Sequence, residues 1–109
     1  MIDVDTLPAR PVETTLTLIS DKWKILIVRD LLTGTKRFSE LRRSIGHISQ
    51  KALTSNLRQM EADGLVHREV YPEVPPRVEY SLTDTGHSLK TVIDALWNWG
   101  EDYKAKLAA

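Results

Sequence analysis

Four side chains of one segment, Lys51, Thr54, Ser55 and Arg58, have types and spacing suited to gripping a ligand. At about 100° per residue in a helix they fall within about 100° of arc, while Leu53, Leu57 and Met60 share the opposite face. A patch mixing Lys, Arg, Thr and Ser differs from the Glu/Lys pattern of a merely solvated helix. It offers donors for guanine edges and phosphates and a methyl for thymine, the chemistry of major-groove reading. Gln50 lies in the first turn of the same helix, where residues of a recognition helix reach base edges. Ser49 is placed to cap the helix and is counted among the contact candidates beside it.

Charge points the same way. The 109 residues carry 15 Lys+Arg and 15 Asp+Glu, a net charge of zero, but the balance is uneven along the chain. Residues 1–35 are net −1 and residues 59–109 net −4, whereas residues 36–58 are net +5. The basic stretch holds Lys36, Arg37, Arg42, Arg43, Lys51 and Arg58 against Glu40 alone. Clustering of this kind is an electrostatic footprint of a polyanion partner, although a solvated basic face has the same composition. Lys36 and Arg37 precede a helix, a usual place for phosphate contacts; for Arg42 and Arg43 phosphate contact and simple solvation stand level. Arg77 has two readings: insertion into a narrow minor groove, or pairing with Glu73 or Glu79.

Other chemistry is poorly served. There is no cysteine, hence no thiolate nucleophile, disulfide or Cys-type zinc site. His47, His67 and His87 are spread over a turn, a strand and a helix, so neither a metal nor a cofactor is expected. Neither a nucleophile elbow nor a glycine-rich phosphate loop is present, so the chain does not read as an enzyme. The longest aliphatic run, Ile25-Leu26-Ile27-Val28, is far short of the ~20 residues of a membrane span. The start Met1-Ile2-Asp3-Val4-Asp5 lacks the basic-then-apolar order of a signal peptide, and the expectation is a cytoplasmic globular domain.

The elements that must position these residues follow from periodicity. Residues 1–10 read as a flexible arm, and residues 11–109 as one domain of ordinary size. Pro11 suits the first position of a helix bearing Val12, Leu16 and Ile19. Asp21 caps a second helix through Trp23, Leu26, Ile27 and Leu31, apolar on most sides and so central to the core or in an interface. Phe38, Leu41 and Ile45 mark a short third helix ended by Gly46, and Ser49 opens the fourth, which stops at Gly64. Two helices across a short glycine-containing turn, about residues 38–63, form a helix-turn-helix. Alternation then predicts a two-stranded wing over about residues 65–82, with the proline-rich Pro72-Glu73-Val74-Pro75-Pro76-Arg77 at its tip.

Thr83 caps one long last helix, about residues 83–107, whose stripe of Leu89, Val92, Ile93, Leu96, Trp97, Trp99 and Tyr103 is too wide for this domain to cover. Trp23, Trp97, Trp99, Tyr80 and Tyr103 have two readings, core and interface packing or the lining of a pocket for an aromatic effector. The expected class is α+β, mainly α, a winged helix-turn-helix with additional terminal helices.

Several segments resemble the HxlR family of bacterial transcriptional regulators. They are Arg10-Pro11-Val12-Glu13, Asp21-Lys22-Trp23, Arg37-Phe38-Ser39-Glu40-Leu41, Ile48-Ser49-Gln50-Lys51-Ala52-Leu53-Thr54 and Glu61-Ala62-Asp63-Gly64-Leu65-Val66. The most specific is the wing, Tyr71-Pro72-Glu73-Val74-Pro75-Pro76-Arg77-Val78-Glu79-Tyr80-Ser81-Leu82-Thr83. The resemblance spans about residues 10–103. It implies a homodimer on double-stranded DNA, binding inverted-repeat operators and joined through terminal helices that carry Val12, Leu16, Ile19, Leu89, Val92, Ile93, Leu96, Trp97, Trp99 and Tyr103. Several members of the family sense oxidants through a cysteine just before the Pro-Val-Glu segment; here Arg10 occupies that place. A signal would then reach this chain through a non-covalent effector, a protein partner or its own abundance. Two alternatives remain at this level: a winged helix serving as a protein-interaction module without DNA, and a regulator gated by a bound aromatic molecule.

Overall fold

The computed structural model describes residues 2–109. After a 3-10 turn at Val4–Thr6 come α1 (Pro11–Leu18), α2 (Lys22–Leu31), β1 (Lys36–Arg37), α3 (Phe38–Ile45) and α4 (Gln50–Ala62). They are followed by β2 (Val66–Tyr71), β3 (Arg77–Leu82), α5 (Asp84–Ser88) and α6 (Lys90–Ala108). Mostly helical, with one small antiparallel sheet, the chain has the winged helix-turn-helix order.

Local chemistry sets the boundaries. The Asp21 carboxylate accepts from the Lys24 N–H at 3.0 Å at the start of α2. The Ser49 hydroxyl accepts from the Ala52 N–H at 3.0 Å at the start of α4. Glu40 accepts from the Arg37 N–H at 2.8 Å at the start of α3. The four-residue turn from 46 to 49 opens at Gly46 with φ of 91°, and Gly64 ends α4 with φ of 77°, a region that side chains with a Cβ rarely enter.

The core lies where α2 meets α3, α4 and the sheet. Ile27, Val28 and Leu31 of α2 pack with Leu41, Leu53, Leu57, Met60, Leu65 and Val66. Burial of Leu53, Leu57 and Met60 turns the opposite face of α4 outward, as the helical spacing predicts.

Three expectations are corrected. The wing has a third strand: β1 pairs with β3, Lys36 opposite Tyr80 and Arg37 opposite Glu79, in the order β1-β3-β2. The last helix is two helices that meet at Leu89, whose N–H bonds back to the Gly86 carbonyl at 3.1 Å while Ile93 resumes α-helical bonding to Leu89. Within residues 2–10, Asp3 accepts from the Asp5 N–H at 3.0 Å, and the Thr14 hydroxyl of α1 donates to the Pro8 carbonyl at 3.1 Å. Finally, Ile19, Leu89 and Ile93 sit inside the chain's own core at 4%, 8% and 3% exposure, which leaves them almost no surface to share with a second subunit.

Candidate nucleic-acid interface

The outward face of α4 presents Gln50, Lys51, Thr54, Ser55, Arg58 and Gln59 along one shallow open surface. Thr54 is half-buried and the others are exposed, so the four residues singled out from spacing do come together. Ser49 is occupied as the helix cap and stands apart from that surface. A second concavity, lined by Phe38, Ser39, Arg42, Arg43 and Gln50, joins the exposed face of α3 to the start of α4.

Few of the chain's cations are paired internally. Among the described residues the ion pairs use Arg10, Arg29, Arg77, Lys90 and His67. Lys36, Arg37, Arg42, Arg43, Lys51, Arg58 and Arg68 take part in none of them. Lys22, Lys24, Lys104 and Lys106 are unpaired as well among the described residues, but residues 36–58 gather six such cations against one carboxylate, the condition for an external polyanion to supply counter-charge.

Arg77 departs from the set. Its guanidinium lies 3.2 Å from Glu73 and 3.2 Å from Glu79, and its Cζ stands 4.0 Å from the centroid of the Tyr71 ring. Of the two readings open in the sequence, the structure displays the pairing with carboxylates. In the chain by itself Arg77 thus braces the wing, tying Glu73, Glu79 and Tyr71 together.

Spacing alone missed Arg68. Directly opposed residues of an antiparallel ladder share a face, and Lys36, Tyr80 and Arg68 oppose one another across the three strands. Arg68 and Tyr80 then meet α4, where they line a cleft with Thr54, Leu57, Arg58 and Glu61. The nearest sequence signal is the alternation of Val66, Arg68 and Val70, which gives the face but not the helix it packs on.

The candidate dimer residues divide by exposure. Val12 and Leu16 on α1, and Leu96, Trp97, Trp99 and Tyr103 on α6, are about half exposed or more. Val92 is half-buried against the core, beside the buried Ile19, Leu89 and Ile93. Trp99 stacks on Tyr103 with ring centroids 5.2 Å apart, and Trp97 lies 5.3 Å from the Arg29 guanidinium, tying α6 to α2. The aromatic residues are thus distributed over α2, β3 and α6, with Trp23 and Tyr80 packed against the core. Among the described residues no group of three or more His, Cys, Asp or Glu is placed to hold a metal ion, and no helix is long and apolar enough to cross a membrane.

Comparison with known proteins gives this geometry its context. Residues 18–108 match the family model of the HxlR-like helix-turn-helix. The chain is 48% identical to YdeP of Bacillus subtilis, an HTH-type transcriptional regulator, over 103 residues that cover 94% of this chain and 80% of that relative. Among solved structures it resembles the reduced form of the redox regulator HypR, with TM-score 0.85 and 47% identity, covering 91% of this chain and 98% of that one. It also resembles the HTH-type regulator ytcD, with TM-score 0.83 and 47% identity, covering 88% and 98%. These relatives are transcriptional regulators rather than enzymes. The chain belongs to the HxlR-like helix-turn-helix family of DNA-binding transcriptional regulators.

Proposed function

We propose that the protein is a homodimer that binds inverted-repeat operators, with α4 of each protomer in a major groove. The observation that carries this reading is the pairing of an exposed Gln50–Arg58 face with cations that have no ion-pair partner in the chain. Gln50, Lys51, Thr54 and Ser55 read base edges, and Arg58 stands at the boundary between the groove and the wing. Lys36 and Arg37, from β1 and the start of α3, hold phosphates and supply affinity without sequence preference.

Shape supports the dimer. A folded chain of this length has a radius of gyration of about 13 Å, whereas this protomer has 15.4 Å and measures 53 × 40 × 23 Å. The excess comes from terminal helices that cover little of their own domain: α1 has no buried residue, and α6 buries only Ile93 among its 19. Their uncovered apolar residues, Val12 and Leu16 on one and Leu96, Trp99, Tyr103 and Leu107 on the other, are area that a second copy would remove from water. Two-fold symmetry then places the recognition helices on half-sites about 34 Å apart or a multiple of it.

The test is selection from sheared genomic DNA by the purified protein at about 0.15 M salt, which suppresses purely electrostatic binding. Enrichment of fragments sharing an inverted repeat is the expected result. Recovery of random fragments only would remove the sequence-specific reading.

A further inference from the structure

Between α4 and the inner face of the wing lies a cleft of about 300 Å³, lined by Thr54, Leu57, Arg58, Glu61, Arg68 and Tyr80. We propose that this cleft is a binding site for one phosphodiester group of the DNA strand that runs between recognition helix and wing. Arg58 and Arg68 are its donors, and the Glu61 carboxylate weakens its grip. The inference deepens the DNA-binding reading and rests on it.

Three observations carry it. Arg58 of α4 and Arg68 of β2, ten residues apart in sequence, line one concavity. Neither makes an ion pair among the described residues, although Glu61 lines the same cleft. Two like charges brought to one cleft repel each other unless an anion joins them, and guanidinium forks match phosphate oxygens in geometry. Leu57 and Tyr80 also line the cleft, which is more enclosed than the outer face of α4, so charge interactions there are screened less than on that open surface.

Charge count selects the chemical class. With both arginines and Glu61 ionised the lining carries a net charge of +1, which a singly charged phosphodiester neutralises. A doubly charged phosphate monoester or free phosphate would leave surplus negative charge facing Glu61. Arg58 consequently contributes affinity more than base discrimination, while Lys51 and Ser55, which line only the outer face of α4, retain the reading role.

The experiment compares wild type with Arg68→Ala, Arg68→Lys and Glu61→Gln on a mixed-sequence DNA duplex two helical turns long, titrated over a range of salt. Arg68→Ala is expected to lower affinity about tenfold and to reduce the slope of log affinity against log salt by about one. Arg68→Lys keeps the charge and retains most of the slope. Glu61→Gln is expected to raise affinity about threefold, and Glu101→Gln, the same charge change on α6, to leave it unchanged. The gain with Glu61→Gln cannot arise from misfolding. Duplex binding by wild type together with unchanged affinity in Arg68→Ala and Glu61→Gln overturns the cleft assignment and leaves the DNA-binding reading standing. No duplex binding by wild type overturns both. Inorganic phosphate, compared with chloride at equal ionic strength, should not displace the duplex; displacement that Arg68→Ala abolishes would reassign the cleft to a free anion and overturn the phosphodiester proposal.

Discussion

Gly86 of α5 is pressed so closely on the Leu65 carbonyl that a Cβ on the glycine would lie 2.2 Å from that oxygen. The same carbonyl accepts from the Thr83 N–H at 3.1 Å, and the Thr83 hydroxyl bonds both the Gly64 carbonyl at 2.6 Å and the Gly86 N–H at 3.0 Å. One knot of backbone thereby joins the end of the recognition helix, the start of the wing and the first turn leading to α6. The orientation of the wing relative to α4, and of α6 relative to both, depends on this contact.

Gly86→Ala should therefore destabilise the fold despite alanine's better helix propensity. The obstacle is backbone, which cannot rotate aside, and overpacking of this kind costs about 1–3 kcal/mol. Thermal or urea unfolding checks it. A midpoint equal to that of wild type would show that α5 can shift without loss.

Lys51→Ala and Lys36→Ala should fail in different ways. The first is expected to cost about 1–3 kcal/mol on the selected operator and less on unrelated DNA, because it removes a base-edge donor. The second should weaken all sequences alike and lower the salt slope by about 0.9. Titrations on both DNAs at several salt concentrations separate the two. Equal losses from Lys51→Ala on operator and random duplex would move Lys51 to the backbone-contacting group.

Trp99→Asp should give a folded monomer. Trp99 is 68% exposed in the protomer, so a charge there spares the core and burdens the interface of the proposed dimer. Sedimentation equilibrium reads the mass. Affinity for an inverted repeat should fall about tenfold or more as the two half-sites cease to be linked. A variant that remains dimeric would place the interface elsewhere.

Arg77→Ala should cost about 1 kcal/mol of stability, since it removes the cation held between Glu73 and Glu79 and above Tyr71. Glu79 also opposes Glu69 across the ladder, so the loss leaves like charges facing each other. The salt dependence of DNA binding should be unchanged. A drop in that slope would show that the arginine leaves its carboxylates for a phosphate.

Short-range patterns made much of this protein legible in its sequence. Asp21, Ser49 and Thr83 cap helices where they were expected to, because a cap joins a side chain to a backbone N–H only three residues away in each case. Leu53, Leu57 and Met60 defined the buried face of α4 and therefore which residues face outward, since a helix fixes angles by spacing alone. The family pattern lay in the sequence for the same reason: its motifs are contiguous.

Tertiary structure decided what depends on partners far along the chain. A two-residue strand has no periodicity to detect, so β1 exists only through its pairing with Tyr80 and Glu79. The apolar stripe of the terminal helices announced that something covers it; packing determined that Ile19, Leu89 and Ile93 are covered by their own domain while Trp99 and Tyr103 are left bare. The pairing of Arg77 with both Glu73 and Glu79, above Tyr71, came from the folding of the hairpin tip. Arg68 became a neighbour of Arg58 only when the wing folded onto α4. Spacing along a helix or strand fixes which way a side chain points; what it meets there depends on long-range packing, which no local pattern encodes.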